Sequence, residues 1–447
     1  MSAVSTGAGS GPEALAGPSS PLPGGTSGGV PDVVVMGLGH VGLPLVQEAT
    51  SAGLATVGYD VSEEVVAGVN AGRSHVGGVS DADVTAMVAG GFRATGDPRV
   101  LDGARTVLIC VPTGLTASGT PDLAQVEAAT TAAARGLSPG TLVVLESTSY
   151  PGTTDGFVRP LLERISGLRA GHDFHLAFSP QRIDPGNREW GVRNTPKIVS
   201  GYTAKCAKRA IAFYSRFVEN PVLSRGTREA EMAKLLENTY RYVNIALVDE
   251  VALFCAESGI DVWDVLHCAG TKPFGFASFR PGAGVGGHCI PVDPRYLAAQ
   301  AEAQGFSFRM LAAAQDVLTR MPGHVVGRTL ELLDEIDVKP AGSRVLLLGV
   351  SYKPDVADVR ETPAVAVASG LLSAGAEVSY HDPYVEHFAL GAQPVPRAGE
   401  LDEALREADV AILLQEHTEY DAASLNRAPC AVLDTRGLVA GRGVTLL

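Results

Sequence analysis

Residues 32–60 read DVVVMGLGHVGLPLVQEATSAGLATVGYD. The apolar run VVVM predicts a buried strand, GLGHVG a tight turn, LPLVQEATSAG a helix and ATVGYD a second strand. Gly37, Gly39 and Gly42 make a G-x-G-x-x-G between strand and helix, and Asp60 stands 18 residues past the last of them. Glycines at those points permit the turn and a close backbone approach to a pyrophosphate, whose charge the free amides of the helix N-terminus favour. An acid closing the second strand takes ribose hydroxyls. Residues 61–72 hold no Arg or Lys for a 2′-phosphate, so the expected cofactor is NAD rather than NADP.

Further strands follow at TVLICVPT (106–113) and TLVVLEST (141–148), each closing on a small hydroxyl residue. Ligands of such sheets lie at the carboxyl ends of strands, which makes Thr113 and Thr148 candidate cofactor contacts. Near the C-terminus the opening recurs as RVLLLGVSYKPDVADVRETPAVAVASGLLSAGAEVSYHD (344–382), again strand, loop, helix and strand closing on an acid, Asp382. Here the G-x-G-x-x-G is missing, and the first loop carries Tyr352, Lys353 and Arg360 instead. The fold class is therefore α/β, with two doubly wound Rossmann-like domains, the second suited to a different ligand of anionic character.

Between them, TREAEMAKLLENTYRYVNIALVDEVALFCAESGI (227–260) has no Pro and no Gly before Gly259, and predicts one helix of roughly 45–50 Å. Lys234, Asn238 and Arg241 share one face of it, while Leu235, Leu236, Val243, Leu247 and Val251 project elsewhere as packing residues. Further on, GVGGHCIP (284–291) sets Cys289 behind glycines and before a proline, a poor place for a core thiol. A dinucleotide site combined with such a cysteine invites a four-electron oxidation: the thiol traps an aldehyde, the adduct loses a second hydride, and hydrolysis releases an acid. Lys234 and Asn238 suit the roles of polarising cation and amide donor at the tetrahedral stages.

Composition narrows the field. A chain of 447 residues with a formal net charge of -14 is a poor nucleic-acid partner, although a few local Arg and Lys suffice for an anionic small molecule. The six cysteines are scattered without a CxxC pair, which argues against zinc and against a disulfide framework. Cys110, Cys206, Cys255, Cys268 and Cys430 read as packing residues. No metal site is expected. The first residues lack the basic start and apolar stretch of a secretory signal, and no apolar run reaches membrane-spanning length, so a cytoplasmic protein with no membrane partner is expected.

With these motifs in place, the chain resembles the UDP-glucose/GDP-mannose dehydrogenase family over everything after the tail. The matching stretches are GLGHVGLP, CVPT, ESTSYPGTT, FSPQRIDPGN, EMAKLLENTYRYVNIAL, TKPFGF, GVGGHCIPVDPRYL and YKPDVADVRETPA. The wording of ESTSYPGTT, DPGN, TKPFGF and HCIPVDP is most similar to the branch oxidising UDP-N-acetylglucosamine at C6. The resemblance implies Cys289 as the thiol of a thiohemiacetal and thioester, Lys234 as polarising or proton-transferring group, Asn238 as oxyanion donor and Asp293 as partner in water activation. It implies a sugar-nucleotide site drawn from Gln181, Arg182, Ile183, Arg241, Tyr352 and Lys353, with Thr113, Thr148 and Arg360 against NAD. It also implies an architecture of a tail (1–30), an NAD-binding domain (31–220), a central helical domain with the cysteine loop (221–325) and a UDP-sugar domain (326–447). The long helix then forms the interface of a homodimer or higher homo-oligomer.

Four departures stand out. Gln181 occupies the place of a family glutamate credited with acid–base work, and an amide cannot accept a proton near neutral pH. Gly114 replaces a usual proline, Val65 a usual basic residue, and Arg280 an often aromatic one. The leading expectation is a UDP-N-acetylglucosamine 6-dehydrogenase with a redistributed base. UDP-N-acetylmannosamine and UDP-glucose are the alternative substrates; a two-electron dehydrogenase and a non-catalytic sugar-nucleotide binder are the alternatives of other classes.

Overall fold

A computed structural model describes residues 29–116, 119–184, 187, 189–439 and 444–447. The expected disordered tail lies outside the described residues as far as residue 28. The apolar runs form the strands the sequence predicts: β1 (Val33–Met36), β2 (Thr56–Tyr59), β3 (Arg93–Thr95), β4 (Thr106–Ile109), β5 (Leu142–Leu145) and β6 (His175–Phe178). They make one parallel sheet in the order β3-β2-β1-β4-β5-β6. Strand order reverses between β1 and β4, and the first helix, α1 (Gly42–Ser51), begins beside that crevice. Such a crevice, at the carboxyl ends of the strands, is where doubly wound sheets receive ligands.

The second sheet is built from β7 (Arg344–Leu348), β8 (Glu377–His381), β9 (Val410–Leu413), β10 (Ala431–Asp434) and β11 (Val444–Leu446). It is also parallel, in the order β8-β7-β9-β10-β11. Each sheet has its own apolar core. The two doubly wound halves read from the sequence are present. Among the described residues no helix is long and apolar enough to cross a membrane.

Between the sheets runs α2 (Thr227–Ser258), about 48 Å long at helical rise. Gly226 starts it, and Gly259, at φ +67°, ends it in the left-handed conformation that glycine adopts without a Cβ penalty. Around α2 pack α3 (Val262–Gly270), α4 (Asp293–Ala303) and α5 (Arg309–Glu335). Leu235, Tyr242, Ala246, Tyr296, Leu297, Leu311 and Leu318 form the cluster that joins α2, α4 and α5.

One stripe of α2 is buried and polar. Glu231, Asn238, Tyr242 and Asp249 are spaced so that they lie within about 40° of one another around the helix. Each bonds a different segment. Glu231 accepts from the backbone N–H of Gly152 at 2.6 Å and of Thr154 at 2.8 Å, and from the Thr154 hydroxyl at 2.6 Å. Asn238 donates to Asp293, Tyr242 donates to Gln315 at 2.7 Å, and Asp249 accepts from the Gly282 N–H at 3.0 Å. Two residues read as packing are instead exposed: Leu236 and Leu247, each 56% accessible.

Burial raises the Glu231 carboxyl to about 7, against the three hydrogen bonds that favour its charged form. A group held above its unfolded value binds a proton more tightly in the folded chain. Its contribution to stability is therefore full below about pH 4.5 and falls as pH rises through about 7. Glu231→Ala strands two buried amides and is expected to cost about 2–4 kcal/mol in chemical denaturation. Glu231→Gln keeps an acceptor, costs less, and flattens the decline in stability between pH 5 and 8. A decline equal to that of the parent protein would contradict the assignment.

Candidate active site

The glycine turn has the shape a dinucleotide requires. Gly37 sits at φ +89°, and a Cβ there would lie 2.7 Å from the Cys110 carbonyl oxygen; one on Gly42 would lie 1.8 Å from the Gly37 carbonyl oxygen. A Cβ on Gly39 would meet nothing within 4 Å, because that amide faces open space. The first turn of α1 has no side-chain cap and no acidic residue, which leaves its N–H groups for an anion. Asp60 accepts one backbone N–H on each oxygen, from Leu38 at 2.8 Å and Ser62 at 2.9 Å, and keeps lone pairs for ribose hydroxyls. These residues fit NAD. Val65, where a basic residue would help, packs against the core. Thr148 is half-buried at the rim, whereas Thr113 is buried and its hydroxyl bonds Tyr296 of α4.

The glycines before Cys289 meet the C-terminal half rather than a ligand. A Cβ on Gly286 would lie 2.7 Å from Tyr352 Cβ and from the Glu361 carbonyl oxygen. On Gly287, at φ +83°, it would lie 2.6 Å from the Tyr352 ring. The loop 349–363 lies directly on the cysteine loop, and the Gly287 N–H donates to the Arg360 carbonyl at 2.9 Å. Cys289 follows immediately and is exposed. Its carbonyl accepts the Asp293 N–H at 3.0 Å, so the thiol sits one turn ahead of α4.

Around the thiol the charges oppose one another. Shielding by the surrounding protein pushes the Cys289 thiol above its ordinary range, and Asp293 adds to this. Lys234, Arg360 and Arg241 pull it back. Asp293 is buried, and burial raises it to about 6 although Lys234 and the Asn238 hydrogen bond both lower it. Lys234 and Asn238 thus meet Asp293 as their shared helix face predicts, and Arg241, one turn on, stays exposed toward the same cleft. Arg360 pairs with Asp358 at 2.6 Å and lowers the imidazoles of His40, in the glycine turn, and of His288. It therefore stands between the cofactor turn and the thiol.

The remaining substrate expectations divide. Lys353 reaches across to Asp184 at 2.5 Å, and Tyr352 covers Gly287, so both border the cleft. Arg182 does not: its guanidinium pairs with Glu237 of α2 at 2.7 Å and donates to the Pro196 carbonyl at 2.7 Å. Ile183 packs on the N-terminal core. Gln181 accepts the Arg182 N–H at 2.8 Å, while its Nε2 is buried with no partner among the described residues. Gly114 has room because His288 Nε2 would lie 4.0 Å from a Cβ there, and Arg280 pairs with Glu416 at 3.7 Å. Cys110, Cys206 and Cys255 are buried as read, but Cys268 is exposed and Cys430 half-buried.

Sequence reasoning missed the pair beneath this floor. Lys197 and Glu146, both buried, lie 2.7 Å apart, and Lys197 donates to the Pro180 carbonyl at 3.3 Å, just before Gln181. A lysine inside the apolar strand PKIVS was the one available signal. Among the described residues no His, Cys, Asp and Glu cluster has the arrangement of a metal site.

Comparison with known proteins gives a consistent picture. Residues 31–218 match the NAD binding domain of the UDP-glucose/GDP-mannose dehydrogenase family, residues 228–319 its central domain and residues 346–441 its UDP binding domain. A UDP-N-acetyl-D-mannosamine dehydrogenase of Pyrococcus horikoshii is 34% identical over 87% of this chain and 90% of its own length. A UDP-N-acetyl-D-glucosamine 6-dehydrogenase of Pseudomonas aeruginosa is 34% identical over 79% of this chain and 83% of its own. The solved structure of a Pyrococcus horikoshii UDP-D-ManNAc dehydrogenase superposes with a TM-score of 0.84 at 32% identity, covering 93% of this chain and 98% of that one.

The opposing charges set a measurable thiol property. Lys234→Ala removes a cation that favours the thiolate, so the midpoint of the pH dependence of Cys289 alkylation by iodoacetamide moves upward. The readout is mass spectrometry of the Cys289 peptide, since Cys268 is also exposed. A downward or absent shift would show that Lys234 does not act on the thiol.

Proposed function

Because the chain belongs to the UDP-glucose/GDP-mannose dehydrogenase family and is an NAD-dependent UDP-sugar 6-dehydrogenase, we propose that Cys289 carries the oxidation and that UDP-N-acetylmannosamine is the hexose oxidised. The observation that carries the chemistry is an exposed thiol with Asp293, Lys234 and Arg360 in electrostatic reach, on a loop that meets both halves of the chain. The motif wording favoured UDP-N-acetylglucosamine. The relatives tilt the choice, since UDP-N-acetylmannosamine dehydrogenases recur among them at 32–34% identity over 87% of this chain. UDP-N-acetylglucosamine remains the second reading, carried by the Pseudomonas aeruginosa relative.

NAD, when bound, accepts a hydride from the substrate carbon in each of the two oxidations. In the first, the C6 hydroxyl loses its proton to solvent through Lys234 or Asp293 as its carbon becomes an aldehyde. The Cys289 sulfur then bonds that carbon, and the thiol proton passes to the former carbonyl oxygen. Loss of the second hydride, with that proton, leaves a thioester. Water adds, the carbon–sulfur bond breaks, and the carboxylate departs as Cys289 recovers its proton. One Nδ2 hydrogen of Asn238 holds Asp293, and the other is available to the developing oxyanion. Asp293, raised to about 6, is ionised at neutral pH and basic enough to take the proton of the water, a role the Gln181 amide cannot fill. Gln181 orients that water through its unpartnered Nε2. Tyr352, Lys353 and Arg241 hold the sugar nucleotide.

An assembly accompanies this chemistry. Leu236, Tyr240, Leu247 and Phe254 form an exposed stripe on α2, about 140° round from the buried polar one. Phe274 and Phe276 stand exposed in the loop after α3. We propose that a second copy of this chain covers this face, giving at least a homodimer. Leu247→Glu with Phe254→Glu is expected to halve the mass measured by light scattering; an unchanged mass, or a monomeric parent protein, contradicts it.

The deciding assay counts NADH per sugar over a panel of UDP-hexoses. Two NADH per UDP-N-acetylmannosamine, abolished in Cys289→Ala, are expected, and Gln181→Glu speeds release of the acid. One NADH would mean arrest at the aldehyde. Turnover confined to UDP-N-acetylglucosamine or UDP-glucose would overturn the choice of hexose.

A further inference from the structure

The two acids that close the two strand–helix–strand openings have different surroundings. Asp60, half-exposed, holds two backbone amides and faces the cofactor crevice. Asp382, after β8, is 1% exposed. Its Oδ2 accepts the N–H of Val350 at 2.8 Å and of Ser351 at 3.2 Å, and its Oδ1 accepts those of Tyr384 at 2.9 Å and Val385 at 3.1 Å. His417 Nε2 adds a fifth partner at 3.1 Å. A carboxylate offers about four lone-pair sites, so Asp382 has no capacity left for a ribose.

His417 extends the anchor. Its side chain is fully buried, and its Nδ1 accepts the Asp355 N–H at 2.9 Å. That nitrogen carries no proton, so the ring is the Nε2–H tautomer, which donates to Asp382. Asp355, at φ +60°, in turn accepts the Thr418 N–H at 2.8 Å. Ser351 Oγ donates to the Lys353 carbonyl at 2.8 Å. Both ends of the turn 350–355 are thus tied to one buried pair. The residues between those ties, Tyr352 and Lys353, meet Gly287 and Asp184 in the cleft.

We propose that Asp382 and His417 are positioning residues for the nucleotide-sugar subsite. They fix the turn so that Tyr352 registers the cysteine loop and Lys353 meets the anionic nucleotide. This rests on the reading above that Lys353 and Tyr352 hold the sugar nucleotide. The second doubly wound half has therefore turned the acid that reads a ribose in the first half into an internal anchor for the loop that does the binding.

His417→Phe removes both bonds at similar size, while His417→Asn keeps an acceptor near the Nδ1 position. In His417→Phe the Kd for UDP, by calorimetry, and the KM for the UDP-sugar are expected to rise about tenfold. The Kd for NAD and kcat stay within about twofold, and the Asp355 amide exchanges hydrogen faster. His417→Asn recovers most of the UDP affinity. Should His417→Phe not fold, His417→Asn and Asp382→Asn carry the same comparison, each expected to weaken UDP more than NAD. Unchanged UDP affinity, or equal losses for UDP and NAD, would overturn the inference. Lys353→Ala separates the two readings: if it leaves UDP affinity intact, the subsite assignment fails, whereas its loss beside an unaffected His417→Phe defeats the anchor alone.

Discussion

The buried polar stripe of α2 is the constraint on which the rest depends. A helix that merely linked two sheets could present any face to them. Glu231, Asn238, Tyr242 and Asp249 remove that freedom, because each meets a partner from a different segment. Rotating α2 by even one residue would strand a buried carboxylate or amide at four places, each costing about 1–3 kcal/mol. The helix is therefore set in rotation and in register against the N-terminal turn, α4, α5 and the loop before Cys289 at once. Lys234, on the adjoining face, inherits its aim at Asp293 from that setting.

The cleft follows from two close approaches. The glycine turn comes against the Cys110 carbonyl, and the glycines 286–287 come against Tyr352 and Glu361. The first brings free amides to the end of the sheet. The second brings the C-terminal half over the thiol. Glycine serves both, for different reasons: in the first turn it leaves room for a ligand, and in the cysteine loop it leaves room for another part of the same chain. Arg360 stands at the meeting point, felt by His40 on one side and Cys289 on the other, so the cofactor turn, the thiol and the second half share one electrostatic environment. The thiol is held reluctant to ionise in the free protein, and Asp293 is poised between its charged and neutral forms. A site that must first shed a proton from sulfur and later take one from water needs both properties.

Local signals were legible where structure is local. VVVM and the spacing of Gly37, Gly39 and Gly42 predict a strand and a turn because period and backbone freedom are properties of neighbouring residues. Lys234 and Asn238 could be set on one face from spacing alone, and Cys289 stood out by its flanks. Arg182 and Ile183 show the limit. They adjoin Gln181 in the motif, yet one turns to Glu237 and the other into the core, because side-chain direction depends on what packs beside the loop. Leu236 and Leu247 look apolar enough to be core, and only the packed helix shows that no other element of the chain covers them.

The chain's order of strands, its cofactor turn, its long helix and its reactive cysteine were determined by the sequence by itself, through hydrophobic period and the placement of glycine. Tertiary structure alone decided which polar groups face one another: Glu231 with Thr154, Lys353 with Asp184, Asp382 with His417. Those partners lie 77, 169 and 35 residues apart. A hydrogen bond acts over about 3 Å and leaves no periodic trace along the chain, so only the folded backbone brings its two ends into view.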